Sequence, residues 1–308
     1  MTQLAHPEAA VTPKEERRRK PLRNEGRAAF GFLTPSVAGL TLFLLFPSVL
    51  AVVTSFFHWP TFGNIEFAGL DNYRQLTGEG ATFPAALRNT VLFTALVVPV
   101  NLVVTLSLAF WIAGSRFSRI YRVLLFLPVV TPTVATAVIW MMLYQPNGIV
   151  DYLAGAVGLN IPNILASQST ALVAVAFVVL WQGLGYNVLI FSAAIDQLPE
   201  DVINAAKIDG AGVLRTLFQI KIPLVTPAVF FATTITMIQS FQIFTEPFMM
   251  TAGGPGDATV TVVMDIYQTA FRGGQLGLAA APAMVLFALI IIFTLAQWAG
   301  QRKWVHYG

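Results

Sequence analysis

Long apolar runs separated by short polar segments organise this chain. A helix crossing about 30 Å of hydrocarbon needs roughly 20 mostly apolar residues. Six segments meet that measure: 32–57, 89–113, 123–144, 171–194, 224–250 and 278–299. No Lys or Arg falls inside them, and Glu246 is their single acid. The first run is too long for the apolar core of a cleavable signal peptide, and no small-residue cleavage site follows it. The pattern predicts an all-α membrane protein with six transmembrane helices.

Composition agrees with the pattern and removes whole classes of function. The chain is 56% hydrophobic and 11% charged, whereas soluble domains carry about 25% charged residues; mean hydropathy is +0.70. The absence of cysteine excludes disulfide frameworks, thiol nucleophiles and cysteine-ligated metals. Histidines occur only at His6, His58 and His306, which leaves no metal site and little acid–base chemistry. The residues offer no nucleophile–base pair, so an enzyme is not expected.

Charge is distributed by topology. Lys14, Arg17, Arg18, Arg19, Lys20, Arg23 and Arg27 precede the first run; Arg116, Arg119 and Arg122 lie between the second and third. Lys207, Arg215 and Lys221 lie between the fourth and fifth, and Arg302 and Lys303 follow the sixth. One side of the membrane thus holds fifteen of the 18 cations, and the other holds Arg74, Arg88 and Arg272. Cytoplasmic loops carry such an excess, so both termini are expected to be cytoplasmic. Residues 1–29 read as a disordered basic tail that sets topology, in preference to a nucleic-acid or anionic-lipid patch, and residues 30–308 as one transmembrane domain embedded in membrane lipid, with no nucleic-acid partner. Trp59, Tyr144, Trp298 and Trp304 sit near run ends, as interfacial anchors should.

The cytoplasmic loop at 198–223 is neither apolar enough to insert nor loose enough to be a linker. Leu198-Pro199-Glu200-Asp201 is a helix start, with proline pre-setting the backbone and acids facing the positive helix end. Val202, Ala205, Ala206 and Ile208 give that helix a small apolar face, and Gly210 supplies the left-handed residue that closes it. A second short helix is expected from Val213 to Ile220, striped by Leu214, Leu217 and Phe218 and ending at Ile222-Pro223.

The run Asn204-Ala205-Ala206-Lys207-Ile208-Asp209-Gly210-Ala211, with Phe218, Ile220, Pro223 and Pro227 after it, resembles the "EAA" coupling loop of binding-protein-dependent ABC importer permeases. Asn204 stands where that family usually has Glu. Ala68-Gly69-Leu70-Asp71-Asn72-Tyr73, Asn89-Thr90 and Thr251-Ala252-Gly253-Gly254-Pro255 with Thr259, Tyr267, Ala270 and Phe271 are similar to the carbohydrate-uptake branch, in its maltose-type "F" and glycerol-3-phosphate-type "A" subunits. The resemblance implies a type I ABC importer permease fold and a prokaryotic inner (cell) membrane. It also implies a second homologous permease chain, two copies of an ABC ATPase that bind ATP and Mg, and an extracytoplasmic solute-binding protein. Glu200, Asn204, Ala205, Ala206, Asp209, Gly210 and Ala211 would form the ATPase coupling loop. No G-x-x-x-x-G-K-[ST] loop occurs in the chain, so no nucleotide or other cofactor is expected on it.

The solute path is expected on two faces. At about 100° per residue, Thr236, Gln239, Ser240, Ile243 and Glu246 fall within an arc of about 120° on one helix, and polar side chains inside a membrane face the bundle interior or a water-filled cavity. Gln182, Gly183, Tyr186 and Asn187 share a face of the fourth run beside Trp181. The resemblance puts Gln182, Gly183, Tyr186, Thr236, Gln239, Ser240 and Ile243 on substrate-contacting positions; Glu246 joins them as the only ionisable acid or base in the spans. A lone carboxylate without a cation favours a neutral sugar, whose hydroxyls amides can bind, over a glycerophosphate. The competing functions are a glycerol-3-phosphate or glycerophosphodiester importer permease and an ion-coupled secondary transporter.

Overall fold

The computed structural model describes residues 25–302 and 305, other than 157 and 159–162. The expected tail, Lys303, Trp304 and His306 lie outside the described residues, apart from the backbone of 25–29. The first stretch comprises α1 (Glu25–Leu40), a wider π turn at Thr41–Leu45, and α2 (Phe46–Thr54). Pro47 removes an N–H and would press on the carbonyl four residues back. The wider turn accommodates this, and the Phe46 N–H bonds the Thr41 carbonyl instead.

From Ala51 onward the chain forms a second compact unit. A two-stranded hairpin, β1 (Phe57–His58) with β2 (Glu66–Phe67), pairs Phe57 with Phe67 and His58 with Glu66. This is a small departure from the all-helical expectation. The helices that follow are α3 (Asp71–Gln75), α4 (Phe83–Ala113), α5 (Ser118–Phe126), α6 (Thr133–Leu143), α7 (Ile149–Ala156) and α8 (Ala171–Asp196). After them come α9 (Glu200–Ile208), α10 (Val213–Thr216), α11 (Ile222–Leu224), α12 (Thr226–Phe241), α13 (Thr245–Thr251), α14 (Val262–Tyr267) and α15 (Leu276–Gln301).

Four stretches are long and apolar enough to cross a membrane: Phe30–Thr54, Phe83–Ala113, Ala171–Asp196 and Leu276–Gln301. Two bent pairs, Ser118–Val130 with Thr133–Leu143 and Val213–Leu224 with Thr226–Phe241, raise the number to six if each is one span. The third apolar run is therefore not one straight helix. It turns by 94° at Thr131-Pro132, where Pro132 cannot donate to the carbonyl of Pro128. The Thr131 hydroxyl takes that carbonyl, and the Thr131 carbonyl accepts from Gln182 Nε2 at 3.1 Å.

The fifth run departs from expectation at both ends. The rod begun by α10 does not stop at Ile222-Pro223. It continues through a π turn at Leu217–Lys221 into α11 and bends by 64° only at Val225. Nor is 224–250 one helix, because α12 ends at Phe241 and α13 begins at Thr245. Pro247 explains the break: it has no N–H to give the Ile243 carbonyl, which accepts the Thr261 hydroxyl at 2.9 Å instead.

The motifs shared with the carbohydrate branch are knots of the fold. Gly69 takes φ +55°, Asn72 Nδ2 donates to the Ser55 and Phe57 carbonyls at 2.9 Å each, and the Tyr73 hydroxyl donates to Ser55 Oγ at 2.8 Å. Asn89 Nδ2 donates to the Asp257 and Val260 carbonyls at 2.7 and 2.9 Å, and Thr90 Oγ1 accepts the Val262 N–H. The loop after α13 is thereby fastened to α4. α4 also packs along α8, and Phe93, Val97, Val175 and Val178 bury together between them. Tyr144 is buried in this cluster against Trp140, so it is a core residue and not an interfacial anchor. Trp298 stays exposed with Arg302 over its ring at 5.3 Å.

Candidate functional site

A cavity of about 340 Å³ opens where α4, α6, α8, α12 and α13 converge. All eight residues expected on the path line it: Gln182, Gly183, Tyr186, Thr236, Gln239, Ser240, Ile243 and Glu246. The helix break does not scatter the fifth-run face. α12 presents Thr236, Gln239 and Ser240, the break carries Ile243, and the first turn of α13 brings Glu246 to the same space. Val97, Asn101, Val129, Thr133, Val179 and Asn187 complete the wall.

The lining is amphipathic. Tyr186 and Gln239 are exposed, whereas Gln182, Asn187, Ser240 and Glu246 are buried. Gly183 leaves open space where a Cβ would sit. Among the described residues no Lys, Arg or His lines the cavity, and Glu246 is its one carboxylate. Two acceptor oxygens, Gln182 Oε1 and Asn187 Oδ1, are buried without a hydrogen-bond partner.

Two lining amides fall outside the eight positions: Asn187, which the sequence placed on the expected face, and Asn101, which it did not single out. Asn187 shares the face of Gln182 and Tyr186, and its Nδ2 bridges Asn101 Oδ1 on α4 and Thr236 Oγ1 on α12. Asn101 carried a signal of its own, an amide set deep among the apolar residues of α4, twelve positions past Asn89 near its start. Trp181 packs edge-on against Trp140 at 5.5 Å and is not among the lining residues.

The loop residues gather separately. Glu200 and Asp201 occupy the first turn of α9 and Lys207 the last. Asn204, Ala205 and Ala206 lie between them, and Lys207 Nζ reaches Asn204 Oδ1 at 3.4 Å. Asp209 ends the helix, Gly210 takes φ +75°, and the Ala211 N–H closes the turn on the Ala206 carbonyl at 2.9 Å. The expected small apolar face of α9 is only partly buried: Ala206 is covered, but Val202 and Ile208 are exposed, and so are Val213, Leu214 and Phe218 beyond the turn. An apolar ridge therefore stands free on a polar loop.

The chain matches the family described as "Binding-protein-dependent transport system inner membrane component" over residues 104–304. It is 32% identical over 296 residues to the sn-glycerol-3-phosphate transport system permease protein UgpA of Yersinia pestis bv. Antiqua (strain Antiqua), covering 89% of this chain and 100% of that one. It is 32% identical over 273 residues to the probable ABC transporter permease protein YurN of Bacillus subtilis (strain 168), covering 86% and 93%. A chain of a bacterial ABC transporter that imports the acidic polysaccharide alginate superposes with a TM-score of 0.79 at 18% identity, over 90% of this chain and 96% of that one. The same kind of transporter in complex with an alginate pentasaccharide-bound periplasmic protein gives 0.80 at 17% identity, over 92% and 96%. The extent of these matches and the helical architecture lead to one conclusion: the chain belongs to the binding-protein-dependent transport system inner membrane component family, the permeases of ABC importers.

Proposed function

We propose that this permease forms half of the translocation path for an unphosphorylated sugar, in the inner membrane of a prokaryote. The observation that carries the reading is the cavity, in which amides, hydroxyls, a tyrosine ring and one carboxylate meet without a cation. Amides and hydroxyls exchange hydrogen bonds with sugar hydroxyls, and an aromatic ring stacks on apolar C–H faces. The glycerol-3-phosphate named for the Yersinia relatives is the competing cargo. Its phosphate would meet Glu246 with no Lys or Arg beside it, which disfavours it in this cavity.

In this reading the bent pairs are spans three and five, giving six spans, and the cation excess puts both termini in the cytoplasm. Solute arrives on an extracytoplasmic binding protein, and a second, homologous permease completes the path. The exposed ridge of Ile208, Val213, Leu214 and Phe218, with the Gly210 turn, docks one of two ABC ATPases that supply ATP and Mg. This chain hydrolyses nothing; nucleotide and solute bias one inward–outward equilibrium from opposite ends.

Reconstitution tests the whole reading. The chain alone in liposomes should neither hydrolyse ATP nor accumulate solute under a proton or sodium gradient. With its ATPase, second permease and binding protein it should import disaccharide at the expense of ATP. Gradient-driven accumulation by the chain alone would overturn the reading in favour of a secondary transporter.

A further inference from the structure

Three contacts hold α8 to α5 and to the bend that follows α5. At the end of α8, Asp196 receives Arg122 of α5 through both carboxylate oxygens, at 2.7 and 2.9 Å. One stretch further along, Gly185 lies against α5 so closely that a Cβ would run into the Leu125 carbonyl and come within 2.7 Å of Phe126 Cα. Nearer the cavity, Gln182 Nε2 holds the Thr131 carbonyl at the 94° bend. A two-pronged guanidinium–carboxylate pair fixes an angle as well as a distance, and a backbone-to-backbone contact at glycine leaves no side chain to re-pack.

The two ends of this assembly matter. Asp196 is the last residue of α8, and the chain passes through Leu198-Pro199 directly into α9. At the other end Val129 and Thr133 flank the bend and line the cavity with Gln182. We infer that α8 and the Ser118–Val130 segment move as one lever from the loop to the cavity wall. Arg122 and Asp196 are the positioning residues that lock it, and Gln182 is the point where bound solute is felt. Displacement of α9 shifts the bend at Thr131, and solute bound in the cavity against Gln182 biases the same lever from above. Linkage requires the two effects to be reciprocal. The inference rests on the reading of 198–223 as the ATPase coupling loop.

The pair is partly exposed, with side-chain exposures of 23% and 48%, and complex recovery of each variant is the control for folding and assembly. That separates a positioning role from a structural one. In proteoliposomes holding the full complex, Arg122→Gln and Asp196→Asn should each lower solute imported per ATP about fivefold or more. Complex recovery should not change, the double variant should be no worse than either single, and the exchange Arg122→Asp with Asp196→Arg should recover coupling. A wild-type ratio in both singles, or a double variant whose loss is the product of the two, would overturn the lever.

Amide hydrogen exchange provides a readout independent of cargo. Arg122→Gln should speed exchange across residues 131–136, beyond the bend; unchanged exchange there overturns the inference. A wild-type complex with no ATP-driven uptake would instead refute the permease reading, and the exchange measurement would still decide the lever.

Discussion

Asn187 on α8 donates its Nδ2 to the hydroxyl of Thr236 on α12 at 2.9 Å, and this contact closes one wall of the cavity. The same amide reaches Asn101 on α4, so three helices share one polar node. Replacing Asn187 with Leu leaves the Asn101 carbonyl oxygen and the Thr236 hydroxyl unpaired. Hydrogen bonds between membrane helices are worth about 0.6–2 kcal/mol each. The variant should therefore lower the detergent-solubilised complex's Tm and weaken import, whereas Asn187→Gln should keep part of both.

Gln239 and Glu246 test the cargo. Truncation of Gln239 to Leu leaves sugar hydroxyls unpaired at roughly 1–3 kcal/mol per bond, so uptake should fall about tenfold or more with assembly unchanged. Glu246→Gln should do less, because the amide oxygen still accepts. Glu246→Lys should abolish uptake of a neutral sugar yet be tolerated, or helpful, for a glycerophosphate. Radiolabelled uptake with complex recovery as control measures all three. Unchanged uptake in both Gln239→Leu and Glu246→Lys would mean that this face packs against protein and the solute passes elsewhere.

Gly210 isolates backbone conformation from packing. A Cβ there meets no atom within 4 Å, so only the φ of +75° resists substitution, at a cost of about 1–2 kcal/mol. Gly210→Val should insert and recover normally but show uncoupled or released ATPase. Wild-type transport in a variant that co-purifies with its ATPase would refute the coupling role.

Asp265, on α14 between the fifth and sixth apolar runs, predicts a pH effect. Burial pushes its carboxyl up from 3.8 to about 6, with Asp257 adding to the shift. A raised carboxyl stabilises the fold only while protonated. That contribution is complete below the ordinary value near 3.8 and is lost as pH rises through about 6. Asp265→Asn cannot ionise, so its Tm should exceed the wild type's at pH 8 and converge with it near pH 4. Parallel Tm profiles would exclude the effect.

Local rules made much of this protein legible from its residues. Apolar run length exposed the membrane segments, because a hydrocarbon core demands them wherever the chain later packs. The cap chemistry of Pro199-Glu200 and the left-handed Gly210 are likewise local, and the structure holds both as expected. A helical period was enough to bring Thr236, Gln239 and Ser240 to one face of α12. The tertiary structure decided what depends on a distant partner. Run length alone gave no sign that the third run bends at Pro132 or that the fifth breaks before Pro247. The carbonyls at the bend and the break, those of Thr131 and Ile243, are taken by Gln182 and Thr261, 51 and 18 residues away. Asn101 and Asn187 become one node only when α4 meets α8. Arg122 reads as a topological charge until folding brings Asp196, 74 residues on, within 2.7 Å. Pairing across such separations follows from packing of whole helices, and no periodicity within a single segment encodes it.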